Sequence, residues 1–125
     1  MNMMASFAQP HREPPADLDA EQALLSELIA NPELFDAVEG TIAPSDFADP
    51  AHALIYRHAA EMDRDGGIIL SRLARALEPM PELADVGGKQ YIAELAVNAL
   101  KVYTPVSIAK QARYIAELSK RRQLI

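Results

Sequence analysis

The chain has 125 residues and a formal net charge of −6, enough for one domain that buries roughly two-thirds of its unfolded surface. Half of its residues are hydrophobic and 24% are charged, so it has the composition of a globular protein and not of a disordered one. The absence of cysteine excludes disulfides, thiolate metal sites and a cysteine nucleophile, and no stretch approaches the roughly 20 apolar residues of a membrane helix. A cytoplasmic location, with no membrane partner, fits best.

The first sixteen residues hold Pro10, Pro14 and Pro15 among polar neighbours with no apolar period, which predicts a flexible arm. Leu24, Leu25, Leu28 and Ile29 then follow helical spacing and predict a helix over 18–30. Asp17 or Asp19 can cap it, and Asp19 with Gln22 matches the capping-box spacing. Pro32 suits the first turn of a short second helix carrying Leu34, Phe35 and Val38 and stopped by Gly40. Ile42 to Phe47 reads as a turn with one short helical piece. Asp49 and Pro50 open a third helix with Leu54, Ile55, His58, Ala59 and Met62 on one side, ended by Gly66 and Gly67.

A fourth helix is predicted over Ile69 to Leu77, with Leu73, Ala74 and Leu77 inward, before the breaker run Pro79, Met80, Pro81. A fifth starts near Gly87 or Gly88 and carries the stripe Tyr91, Ile92, Leu95, Ala96 and Ala99. After a bend at Tyr103 to Pro105, a last helix runs from about Val106 to the end with Ile108, Ala112, Ile115 and Leu118 inward. No segment alternates at period two, so the expected fold class is all-α. It consists of a compact body of about four helices over 17–86 and a projecting αα-hairpin over 87–125. The last helix meets no stop signal before Leu124 and Ile125, which reads as a cut inside a longer protein.

Charge is divided unevenly. Residues 101–125 carry six basic side chains and one acid, a net +5, whereas the first hundred carry six and seventeen, a net −11. Such an acidic total argues against a dedicated nucleic-acid binder, while the basic terminal helix can face another acidic body or DNA. Lys120, Arg121 and Arg122 read first as solvated charge answering the negative end of the helix dipole, and second as a DNA- or partner-facing cluster.

Nothing in the spacing builds a catalytic or cofactor site. His52 and His58 are six apart and cannot share a helix face, and His58 with Glu61 has no second copy to complete a metal site. Gly87-Gly88-Lys89 lacks the outer glycine and the Ser/Thr of a phosphate loop and reads as a helix start. Ser71, Ser107 and Ser119 sit within helices without a glycine elbow. The stripe through Tyr91, Leu95, Tyr103 and Ile108 can be core or interface, and spacing leaves both open.

The order of motifs resembles that of DnaB-type replicative DNA helicases. PADLDAEQALLSELI, with Ala20, Glu21 and Gln22, resembles the opening of their N-terminal domain. SDFADPAHALIYRHAAEM, with Asp46, Phe47, Pro50, His52, Ile55 and Tyr56, resembles the second block. ELADVGGKQYIAELA resembles the third and ARYIAELSKRRQLI the close. The run Ile68 to Ser71 is shorter than in the family, and five residues, Ala99 to Tyr103, separate Asn98 from the Thr104-Pro105 turn.

The resemblance covers about residues 14–125 and implies a non-catalytic collar above a ring of motor domains. In that family the hairpins pair so that a hexamer forms as a trimer of dimers, and the collar docks primase. It implies that Tyr91, Ile92, Leu95, Ala99, Tyr103, Ile108, Ala112 and Ile115 carry self-association. It also implies that ATP and magnesium belong only to a motor domain this chain lacks, that a helicase loader is a further partner, and that DNA is met only through the parent helicase. The rival readings are a naturally short adaptor or inhibitor that binds a replicative helicase, and a small DNA-binding protein using the terminal helix.

Overall fold

The computed structural model describes residues 15–124, so nearly all of the arm read over 1–16 lies outside the described residues. These residues form seven α-helices and no strand: α1 Leu18–Ala30, α2 Phe35–Val38, α3 Pro50–Arg64, α4 Leu70–Leu77, α5 Pro81–Ala84, α6 Lys89–Val97 and α7 Pro105–Gln123. Short 3-10 turns at Pro32–Leu34 and Pro44–Asp46 complete the path. The all-α class is as the periodicity implies.

Helix starts follow side-chain chemistry. Asp17 caps α1 by accepting from the Ala20 N–H at 3.0 Å, and Asp49 caps α3 by accepting from Ala51 at 2.8 Å. Thr104 and Ser107 form a reciprocal box at the start of α7, with Thr104 Oγ1 accepting from the Ser107 N–H at 3.1 Å and Ser107 Oγ from the Thr104 N–H at 2.8 Å. Asp17, not Asp19, is therefore the first cap, and Pro105 is the first residue of α7 rather than part of the bend. The run around Pro81 is a helix start as well as a breaker, because proline at the first position gives up no helical hydrogen bond. Gly87 and Gly88 both take positive φ (120° and 72°) where the chain turns into α6, a conformation that side chains disfavour.

One core runs through the whole described chain. Leu24, Leu25 and Leu28 of α1, Phe35 of α2, Ile55 of α3 and Leu73 and Leu77 of α4 are almost wholly buried, and so are Ile92, Leu95, Ile108, Ala112 and Ile115. Helix α6 packs against α1, α4 and α5, and α7 packs against α1, α2 and the 44–46 turn. The last two helices therefore lie on the body and make little contact with each other, where the sequence suggested a projecting hairpin. The reason is physical: α1 is buried over a wide arc from Ala20 to Ile29, and both of the last helices pack against it. Burying each large aliphatic side chain is worth about 1.5–3 kcal/mol, which a projecting hairpin would forgo.

Candidate interaction surface

Two of the charged side chains inside the domain fix its loops. Glu21 and Glu27 lie on α1 within its apolar face and are 1% and 2% exposed. Glu21 Oε2 accepts from the Ala48 N–H at 2.7 Å and Oε1 accepts from Asp49 at 3.3 Å. His52 Nδ1 stands 2.9 Å from the same Oε1, and His52 Nε2 stands 2.7 Å from the Tyr91 hydroxyl. Nδ1–H donates to the carboxylate, which leaves Nε2 to pair with a hydroxyl able to donate or accept. This chain ties α1, α3 and α6 together. Burial, and then the carboxylates of Asp49, Glu21 and Glu94, push the Tyr91 phenol up to about 12.

Glu27 performs the second task. Its two oxygens accept from the Leu100 N–H at 2.6 Å and the Lys101 N–H at 2.9 Å, holding the turn between α6 and α7. Lys101 has φ +60° there, a left-handed conformation uncommon for a residue with a side chain. The carboxylate clamp fixes it. Around this held turn the apolar side chains face outward: Val97 at the end of α6, Leu100 and Val102 in the turn and Val106 at the start of α7 are 79%, 72%, 70% and 69% exposed. Beside them a cleft of about 270 Å³ runs between the turn and α1, with Asp19, Gln22 and Ser26 on one wall and Leu100 and Tyr103 on the other.

The expected interface residues divide sharply. Ile92, Leu95, Ile108, Ala112 and Ile115 are core of this chain and not available at its surface. Tyr91 is half-buried in the His52 network, Ala99 is half-buried, and Tyr103 lines the cleft. Of the basic cluster, Lys120 and Arg121 are exposed, whereas Arg122 turns inward. Its Nη1 donates to the Pro15 carbonyl at 2.9 Å and its Nη2 to the Asp46 carbonyl at 2.7 Å. Arg122 is thus an anchor of α7, not solvated charge.

What remains exposed on α7 is a second surface. Lys110, Arg113, Tyr114, Glu117, Lys120 and Arg121 recur at three and four residues, the spacing of one helix face. Four cations and one acid therefore stand in a row on an otherwise acidic domain. The Tyr114 hydroxyl donates to Asp17 Oδ2 at 2.8 Å, and this bond raises the phenol pKa. Asp17 is held below its usual value by its bond from the Ala20 N–H and then by that from Tyr114.

A groove of about 550 Å³ at the α3–α4 corner mixes His58, Glu61, Asp65 and Arg72 with Met62 and Ile69 and converges on no common ligand chemistry. Among the described residues no group of three or more His, Asp or Glu stands close enough to hold a metal ion, and no described helix is long and apolar enough to cross a membrane.

Comparison with known proteins places this arrangement. The family model for the DnaB-like helicase N-terminal domain matches residues 13–119. The chain belongs to this family. It is 34% identical over 101 residues to the replicative DNA helicase DnaB of Pasteurella multocida (strain Pm70), covering 80% of this chain and 22% of that helicase. It is 30% identical over 115 residues to the replicative DNA helicase DnaB of Geobacillus stearothermophilus, covering 91% and 25%. The crystal structure of the N-terminal domain of DnaB helicase from Mycobacterium tuberculosis superposes with a TM-score of 0.74 at 26% identity, over 90% of this chain and 80% of that one. The chain spans about a quarter or less of the length of these DnaB helicases. It corresponds to the DnaB N-terminal domain, and the helicase motor domain is absent from these 125 residues.

Glu21 and His52 stand within the family-like blocks of the sequence, but no local spacing marks either of them, Glu27 or Arg122 as a pairing partner. A signal for the acids was present: Glu21 lies three and four residues before Leu24 and Leu25, and Glu27 lies three after Leu24. An acid on an apolar stripe must find donors when buried. Their donors are 27 to 74 residues away, beyond the reach of any local pattern.

Proposed function

We infer that this domain is the non-catalytic collar of an ATP-dependent replicative DNA helicase, working in the cytoplasm of a bacterium or in a plasmid or phage replisome. It gathers copies of itself into a hexamer, built as a trimer of dimers, and offers a docking surface for primase during DNA replication. The observation that carries this reading is membership of the DnaB N-terminal domain family across residues 13–119, supported by the solved fold that matches 90% of the chain.

The surface suited to association is the outer face of α7. Lys110, Arg113, Lys120 and Arg121 oppose the net −11 of the first hundred residues, so a basic helix of one copy complements the acidic body of another. Opposite potentials of this kind orient partners and speed encounter. Holding copies together raises the effective concentration of the attached motors for one another, and a docked primase is kept near emerging single-stranded DNA, with no chemistry contributed by the collar itself.

Sedimentation of the purified chain over a concentration series at low and high salt tests the association. The wild type is expected to form even-numbered assemblies that weaken as salt rises. Lys110→Glu with Arg113→Glu should shift dissociation by about tenfold or more, equivalent to about 1.4 kcal/mol, with helicity unchanged. A wild type that stays monomeric at high concentration would remove the self-association reading. Titration with a purified replicative primase tests the docking separately.

A further inference from the structure

One methionine organises the corner between α3 and α4. The Met62 carbonyl accepts from the Asp65 and Gly67 N–H groups at 3.2 and 3.1 Å, and the Met62 sulfur accepts from the Ile69 N–H at 3.3 Å. Ile69 is the N-cap of α4, and no side-chain oxygen caps that helix. A thioether is a weak acceptor, so this contact adds little stability. It does fix where the sulfur points.

The same sulfur is within reach of solvent. Its bond from Ile69 lies in an exposed part of the corner, and Ile69 itself is 48% exposed. Met62 is only partly buried and lines the groove of about 550 Å³ together with Gly66, Gly67 and Arg72. An oxidant as small as hydrogen peroxide fits there. The chain has no cysteine, so no thiol of its own competes for oxidant, and its thioethers are the side chains that oxidise most readily.

A thioether sulfur carries two lone pairs, and here the two are not equivalent. One receives the Ile69 N–H. An oxygen cannot be inserted between atoms 3.3 Å apart, because an N–H···O bond alone needs about 2.7–3.2 Å. We propose that Met62 is an oxidation site of this domain, converted by peroxide to one sulfoxide epimer whose oxygen stands in the groove. The free lone pair attacks one peroxide oxygen and the O–O bond breaks. The proton on the transferred oxygen passes to the departing hydroxide, which leaves as water; sulfur is oxidised by two electrons and the peroxide is reduced by two. The fold keeps its shape, since the new oxygen enters open space on a wall shared with Arg72, a side chain made of donors. An apolar thioether thereby becomes a polar, chiral mark that the reductase specific for that epimer removes. This site is independent of the basic face of α7 and of the association assigned to it.

The test exposes the full 125-residue chain to hydrogen peroxide, folded or in denaturant, and follows Met62 by peptide mass spectrometry with chromatographic separation of its epimers. Folded Met62 should oxidise within about tenfold of its denatured rate, as its exposure allows. Its epimers should differ in yield by about fivefold or more, against a near-equal mixture from denatured chain, and only one of the two epimer-specific reductases should restore the original mass. The Ile69 amide signal should move on oxidation while the dispersed spectrum of the core helices is retained. A near-equal mixture at folded Met62, or protection beyond tenfold, would overturn the proposal. So would a loss of the dispersed spectrum under peroxide that Met62→Leu prevents, because the oxidation would then be damage to the core.

Discussion

Glu27 shows how one buried carboxylate sets the character of a surface. It accepts from two successive backbone N–H groups of the α6–α7 turn. Glu27→Gln offers only one carbonyl oxygen, so one amide loses its acceptor, at a cost of about 1–3 kcal/mol. Thermal unfolding should show the loss, and hydrogen exchange should locate it at Leu100 and Lys101. The Glu21–His52–Tyr91 chain has a comparable role between helices. Replacing His52 with alanine strands the Tyr91 hydroxyl and removes a donor from Glu21, with an expected loss of about 2–4 kcal/mol.

The ionisable residues also set the pH range of the fold. Burial pushes the phenols of Tyr56 and Tyr91 up to about 12, from an ordinary value near 10. The unfolded chain therefore releases these protons first as pH rises, and the stability they contribute is complete below pH 10 and lost between about 10 and 12. Phenolate absorbance should show Tyr56 and Tyr91 titrating well above pH 10, together with the onset of alkaline unfolding. At the other extreme the pKa of Asp17 is lowered, so its contribution is present above its ordinary value near 4 and lost as pH falls below it.

At the scale of elements, the sequence was most legible where local chemistry decides. The periodicity of α1 and α4, the Asp49-Pro50 start and the glycine stops all follow from side chains a few residues apart, whereas the buried face of α3 runs through Ala51, His52, Ile55, Tyr56, Ala59 and Ala60 and takes in only Ile55 and Ala59 of the expected side. The stripe on the last two helices, with Leu95 and Ile115, was visible too, but not what it faces. Periodicity reveals an apolar face and cannot say whether its cover belongs to the same chain. The same holds for Arg122, whose partners at Pro15 and Asp46 lie far away in sequence, so it read as part of an exposed basic run.

Helix α7 can be dissected from its two ends. Thr104→Ala removes one half of the capping box and should cost about 1 kcal/mol, measurable as a lower denaturant midpoint. Arg122→Ala removes two hydrogen bonds made by a charged donor and should cost about 1.5–3 kcal/mol. Because Arg122 ties α7 to the start of the described chain, that loss should also raise hydrogen exchange at the N-terminus of α1.

The molecule as a whole has one core shared by α1 through α7, so its stability should be lost in a single transition by every probe. This distinguishes it from a body with an appended hairpin, in which the last helices would melt separately. It also separates two classes of residue that the resemblance alone combines: the apolar stripe, which holds the chain folded, and the basic outer face of α7, which is left for partners.

Sedimentation velocity of Leu95→Asp, beside the wild type and the Lys110→Glu, Arg113→Glu pair, tests this separation most directly. A charge placed at the fully buried Leu95 should unfold the chain and expand it from a radius of gyration of about 14 Å toward about 36 Å, so that it sediments slowly. The charge-reversed pair should instead give a compact monomer. A Leu95→Asp chain that remains compact while its assemblies dissolve would show that the stripe is an interface and not the core, and would contradict the account.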